Sequence, residues 1–227
     1  MNTISRIPTR LTRQDSRRKY QAIIDAAGAL FTERGFAATG MDAVSLQSGV
    51  SKRTVYSHFE SKEALFAAVV ELLCARVLQA EPSELNGCDG TPAEVLTLLG
   101  TSFLLSIYGP EQMALYQTVV ADSRQFPEIG RMMFEGPVLR SQSIVSACLR
   151  QLTDRGLLRL SSPDLAAAHF IGMLKTDVHM RLMFSQPPAI TRPEIARIAA
   201  CTVELFLHGA LPRPGQPGAT ESSSRDG

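Results

Sequence analysis

The sequence predicts an all-α protein in two parts, an N-terminal three-helix unit of the helix-turn-helix kind and a larger helical domain behind it. Three observations predict it. Apolar residues recur at three- and four-residue spacing in nearly every segment, and no stretch shows the alternation of a half-buried strand. The breaks between segments carry the chemistry of helix ends, with Ser, Thr or Pro before a segment and Gly after it. Two short segments meet at Gly49, where a residue free to take positive φ permits a sharp reversal.

The first elements are short and well punctuated. Residues 1–13 hold Pro8 and scattered arginines without apolar periodicity and are expected to be a flexible basic arm. A first helix is expected from Gln14 or Ser16 to Arg34, with Ile23, Ala27, Leu30 and Phe31 on one face and Gly35 as the stop. A second runs over Met41–Ser48, capped by Thr39 or Gly40, and Thr39 with Asp42 fits a capping box. Ser51 caps a third helix over Lys52–His58, which completes a unit spanning residues 14–62. A fourth, from Ser61 to Ala80, would span about 30 Å at 1.5 Å per residue, enough to lead from one domain into the next.

The second domain is expected over residues 63–210. Thr91-Pro92-Ala93-Glu94 is a start signal with cap, Pro in the first turn and Glu three residues on, opening a helix to Ile107. Further helices are expected at 111–123, 128–135 and 138–155, the last stopped by Gly156. Ser162-Pro163-Asp164 opens a long helix to Phe184, and Thr191 with Glu194 opens a final one to Leu207. Residues 211–227 are rich in Pro, Gly and Ser and are expected to be disordered.

Composition narrows the classes. A chain of 227 residues with 44% hydrophobic content can bury a sizeable core. Its longest unbroken apolar run, Ala64–Val70, falls far short of the ~18 residues a membrane span needs, so no membrane partner is expected. The N-terminus lacks the apolar stretch of a secretory signal. Cys74, Cys88, Cys148 and Cys201 form no CxxC pair and read as reduced thiols of a cytoplasmic protein, with Cys88 the one to watch for reactivity. No cofactor or metal is expected, and no nucleophile elbow, phosphate loop or dinucleotide fingerprint suggests an enzyme. The net charge of +1 hides an asymmetry: residues 1–62 carry ten Lys or Arg against five Asp or Glu, leaving +5 there and −4 elsewhere. Such a block suits a polyanion or is simply a solvated basic surface.

The third helix weighs for the polyanion. Val55 and Phe59 are four apart and share an inward face, which turns Lys52, Arg53, Tyr56 and Ser57 outward with Thr54 and His58 at the sides. That surface holds two cations, hydroxyls and an aromatic ring, with no acid before Glu60 to repel phosphate. Arg53 suits a guanine edge; Thr54 and Ser57 suit bases or phosphates. Lys52, Lys62, Thr39 and Tyr56 suit phosphates, and His58 is divided between DNA and a packing or helix-end role.

The runs Gly35–Val44 and Gly49–Phe66 resemble the DNA-binding domain of the TetR/AcrR family, and the likeness extends over residues 18–66. The resemblance implies that Thr39, Ser51, Lys52, Arg53, Thr54, Tyr56, His58 and Lys62 lie at or near DNA. Gly40 departs from the Ser or Thr usual there, and Ser45, Leu46 and Ser48 stand in place of small apolar residues. The stretches 126–131, 162–165 and 172–177 are similar to the AefR-like C-terminal subgroup. The resemblance further implies a helical domain that dimerises and often binds a small molecule.

An apolar pocket in that domain is expected to draw on Phe103, Met113, Tyr116, Phe134, Phe170 and Met173. His169, Met173 and Asp177 are four apart and form a stripe; with Lys175 and His179 they are polar groups that converge on a ligand, pair across a dimer or face solvent. The helices over 163–184 and 192–207 are long and apolar, suited to a four-helix homodimer interface. A dimer reading a palindromic double-stranded operator, released by an apolar effector, is the leading expectation. The competing one is the same DNA reader with a filled second core and no effector, acting as an architectural, partner-regulated or activating factor.

Overall fold

The structure, a computed structural model of the chain, describes residues 9–75, 90–184, 186 and 190–208. Among these every regular element is a helix. The expected tail at 211–227, Cys88 and most of the expected arm lie outside the described residues.

The N-terminal elements are α1 (Thr9–Ala38), α2 (Met41–Ser48), α3 (Lys52–His58) and α4 (Lys62–Ala75). Residues 9–13, expected in the arm, instead continue α1, since no Gly or Pro interrupts the chain between Pro8 and Gly28. Near its other end α1 breaks at Gly35 (φ 83°, ψ 169°), backbone that is essentially restricted to glycine, and resumes for one turn. Behind them come α5 (Pro92–Ile107), α6 (Pro110–Asp122), α7 (Pro127–Met133), α8 (Leu139–Asp154), α9 (Pro163–Leu174), α10 (Thr176–Met183) and α11 (Arg192–His208).

Two expectations are corrected. Helices expected apart at 128–135 and 138–155 run on through a π turn over Phe134–Val138. Pro137 has no N–H to donate, and the wide turn accommodates it. The single long helix expected over 163–184 is two helices, α9 and α10, broken at Lys175 (φ −78°, ψ 4°). The inward positions Ala167, Phe170, Ile171 and Leu174 give way after the break to Val178, His179, Leu182 and Met183.

Two apolar cores result. One joins α1–α4 to Leu115 and Val119 of α6 and to Ile129 and Met133 of α7, so its packing reaches well beyond residue 62. The other gathers α5, α8, α9 and α11 around Leu96, Leu104, Leu149 and Phe170. The first core is fastened where α1 breaks. Asp122, at the end of α6, accepts hydrogen bonds from the backbone N–H of Phe36 (2.7 Å) and Ala37 (3.2 Å). The Thr118 hydroxyl donates to the Phe31 carbonyl at 3.1 Å. From the start of α4, the Lys62 ammonium donates to the Phe36 carbonyl (2.9 Å) and lies 4.3 Å from the centre of the Phe36 ring. Phe31, Phe36, Phe66 and Phe126 stack around the same point at centroid distances of 5.1–5.7 Å. Among the described residues no single helix is long and apolar enough to cross a membrane.

Gly35→Ala would force a side chain into glycine backbone and set its Cβ 3.1 Å from the Asp122 carboxylate. It is expected to cost about 1–3 kcal/mol. Lys62→Met, which leaves the Phe36 carbonyl only the longer bond from the Thr39 N–H (3.3 Å), is expected to cost about 1 kcal/mol. Both are read as a lowered urea midpoint at constant slope.

Candidate DNA interface and second-domain cavity

The turn between α2 and α3 is built from local hydrogen bonds. Gly49 sits at φ 66°, and its N–H donates to the Leu46 carbonyl. The Ser45 hydroxyl donates to the Val50 carbonyl (2.7 Å), and the Ser48 oxygen accepts from the Val50 N–H (3.3 Å). These two departures from the family pattern therefore tie the turn. Ser51 caps α3 by accepting from the Thr54 N–H at 3.3 Å, and its hydroxyl meets that of Thr54 at 2.9 Å. The Ser57 hydroxyl donates to the Thr54 carbonyl at 2.7 Å.

On α3, Val55 and Phe59 are buried while Ser51, Lys52, Arg53, Tyr56 and Ser57 are exposed and Thr54 is half-buried. The Lys52 ammonium pairs with the Asp42 carboxylate of α2 at 2.7 Å, an exposed contact that pushes the lysine pKa up through that hydrogen bond. His58 is half-buried with its ring centre 6.0 Å from that of Tyr20, so it packs against α1.

Two residues expected to suit phosphates are hydrogen-bonded within the protein. Thr39 is 2% exposed, and its hydroxyl donates back to the Gly35 carbonyl (2.8 Å) and the Leu30 carbonyl (3.2 Å). Gly40 is the cap of α2, with no side-chain bond, so the capping box expected of Thr39 and Asp42 does not form. Lys62 is half-buried on the end of α1, where the Phe36 carbonyl and ring hold its charge.

The second domain encloses a cavity bounded by the end of α4, by α5 and α6, by the π turn, and by the α9–α10 break. A water-sized sphere can place its centre in about 90 Å³ of it. At roughly 10–15 Å³ per water on that scale, this suits a molecule of about one ring. Of the residues expected to form a pocket, Phe103, Met113 and Tyr116 line it. Phe170 is instead part of the solid core, its ring 5.2 Å from that of Phe206. Phe134 is exposed on the π turn, and His169, Met173 and Asp177 are exposed on the outer side of α9 and α10, where Asp177 accepts from Arg181 at 3.1 Å.

The polar groups that do line the cavity at the break are Lys175 and His179. Burial pulls the Lys175 pKa down. Burial first, and the Lys175 charge second, pull that of His179 down. Next to His179, its ring centre 6.2 Å away, Tyr108 is pushed up to about 12, mainly by burial and then by Asp177. The Tyr108 hydroxyl and His179 Nδ1 are buried without a hydrogen-bond partner.

Comparison with known proteins agrees along the chain. The profile of bacterial regulatory proteins of the tetR family matches residues 23–69, and that of the AefR-like transcriptional repressor C-terminal domain matches residues 94–209. The transcriptional regulator AcrR of Shigella flexneri is 27% identical over 123 residues, 54% of this chain and 56% of its own. The chain thus spans little more than half of that relative's length. The solved structure of a TetR-family regulator from Mesorhizobium loti superposes with a TM-score of 0.75 at 32% identity, covering 85% of this chain and 96% of the other. The flavonoid-responsive regulator FrrA superposes with a TM-score of 0.69 at 25% identity, covering 87% and 100%. With a helix-turn-helix unit, a helical second domain and matches over both, the chain belongs to the TetR family of DNA-binding transcriptional regulators, which are not enzymes.

Proposed function

We propose that the chain is a homodimeric repressor acting in the cytoplasm, which holds a palindromic operator through α3 and releases it when a small, largely apolar molecule enters the cavity. The observation that carries this reading is the double use of α6. Met113 and Tyr116 line the cavity, while Thr118 and Asp122 of the same helix hold the end of α1. A ligand that prefers one setting of α6 biases the recognition helix with it, and coupling of this kind is typically ~1–3 kcal/mol. The name of FrrA, responsive to flavonoids, and the repressor description of the matched C-terminal profile support the same reading. A partner-regulated protein with a filled second core has no use for the cavity.

On DNA, Arg53 reads base edges, with Thr54 and Ser57 beside it, while Lys52, Ser51 and Tyr56 meet phosphates. The dimer forms through α9 and α11, which pack on each other and leave Leu165, Met173 and Leu205 exposed. In this reading the DNA unit is 14–62, extended at its start by residues 9–13 of α1, and the regulatory unit is 63–210.

Selection of bound sequences from a random duplex library is expected to return an inverted repeat with half-sites whole helical turns apart. Enrichment of a single half-site, or a monomer by light scattering at micromolar concentration, overturns the dimeric reader. On the selected operator, Arg53→Ala is expected to relax base preference at a cost of about 1–3 kcal/mol. Lys52→Ala is expected to weaken all sequences alike and lower the salt slope by about 1, whereas Lys62→Met leaves that slope unchanged.

A further inference from the structure

The polar groups of the cavity differ in what they already do. Ser106 donates to the Phe103 carbonyl (2.6 Å), Ser141 to the Pro137 carbonyl (2.8 Å) and Gln112 to the Leu73 carbonyl (3.5 Å). Lys175 Nζ has no carboxylate or carbonyl partner among the described residues, and His179 Nδ1 is buried unpaired. Among the described residues no carboxylate lines the cavity. Asp177, two residues from Lys175, is turned outward onto Arg181. A lysine in this position brings a charge to a mostly apolar wall that offers it no carboxylate among the described residues.

Resting on the effector reading proposed for this cavity, we infer that it takes small organic acids, with an apolar body of about one ring against Phe103, Met113 and Ile171 and a single carboxylate on Lys175 Nζ and His179. The carboxylate gives the ammonium its counter-charge and accepts from the neutral imidazole, so the two unpaired groups that line the cavity at the α9–α10 break are satisfied at once. A hydrocarbon or a neutral amide of the same shape leaves the ammonium unmatched, and a dianion brings a second charge with no cation to meet it.

Titration calorimetry on the full chain tests this with benzoate, phenylacetate and cyclohexanecarboxylate, each beside its uncharged amide. At least one acid is expected to bind about tenfold or more tighter than its amide. Lys175→Met, which keeps the stem and removes the charge, is expected to bring acid and amide within about threefold, and Lys175→Arg to keep the preference. Acid and amide binding equally to the unaltered chain overturns the inference while leaving an apolar effector site standing, as does a Lys175→Met chain that keeps the preference. No binding by any acid or amide at about 1 mM overturns the effector reading as well. Should Lys175→Met fail to fold by thermal melt, the comparison of acid with amide on the unaltered chain decides alone.

Discussion

The hold of α6 on the broken end of α1 is the constraint on which the rest of the structure depends. A helix that stops leaves backbone donors and acceptors unpaired, and here the stop is at the edge of a core, with Phe36 buried and Gly35 half-buried beside it. Side chains from two helices supply partners: Asp122 of α6 for two N–H groups, Lys62 of α4 for a carbonyl, Thr118 of α6 for another. Each bond is ordinary. Together they fix the direction of the chain between α1 and α2, and so the angle at which α3 leaves the body of the protein.

Because those bonds come from α6 and α4, the DNA-binding unit is not a free module on a tether. Its core includes Leu115, Val119, Ile129 and Met133, and cannot be cut out at residue 62 without exposing them. Packed interiors pass displacement on rather than absorb it. The end of α4 and part of α6 border the cavity, and Gln117 ties α6 to the Leu182 carbonyl of α10 at 2.6 Å. The helix between the two cores therefore has no side on which to yield quietly.

What was legible in the sequence was local. The caps at Ser51, Thr91, Ser162 and Thr191 all form, because a cap is a bond between residues three apart and the chain spells it out. The inward pair Val55 and Phe59 comes from helical period in the same way. The internal partners of Thr39 and Lys62 are not legible in the sequence, because a hydroxyl or an ammonium near a helix end looks the same whether it faces solvent or the neighbouring carbonyls. Their partners are set by the Gly35 break. Asp122 left no signal, since Phe36 lies 86 positions away. The stripe of His169, Met173 and Asp177 assumed one continuous helix, and the break at Lys175 turned a different set inward. Spacing says which residues share a face; only packing says which way that face looks.

The ion pair of Lys52 with Asp42 gives the reading surface an internal rival. Asp42 sits on α2 and moves with α3, so the rival travels to the DNA along with the cation. A phosphate that Lys52 meets shares the ammonium with a carboxylate already beside it, so the gain from that contact is reduced by the repulsion between the two anions. Arg53, its immediate neighbour, stands exposed at the centre of the surface. The helix thus arrives with one cation partly offset by its own scaffold, which tempers its pull toward polyanions at large and leaves base recognition to the side chain beside it.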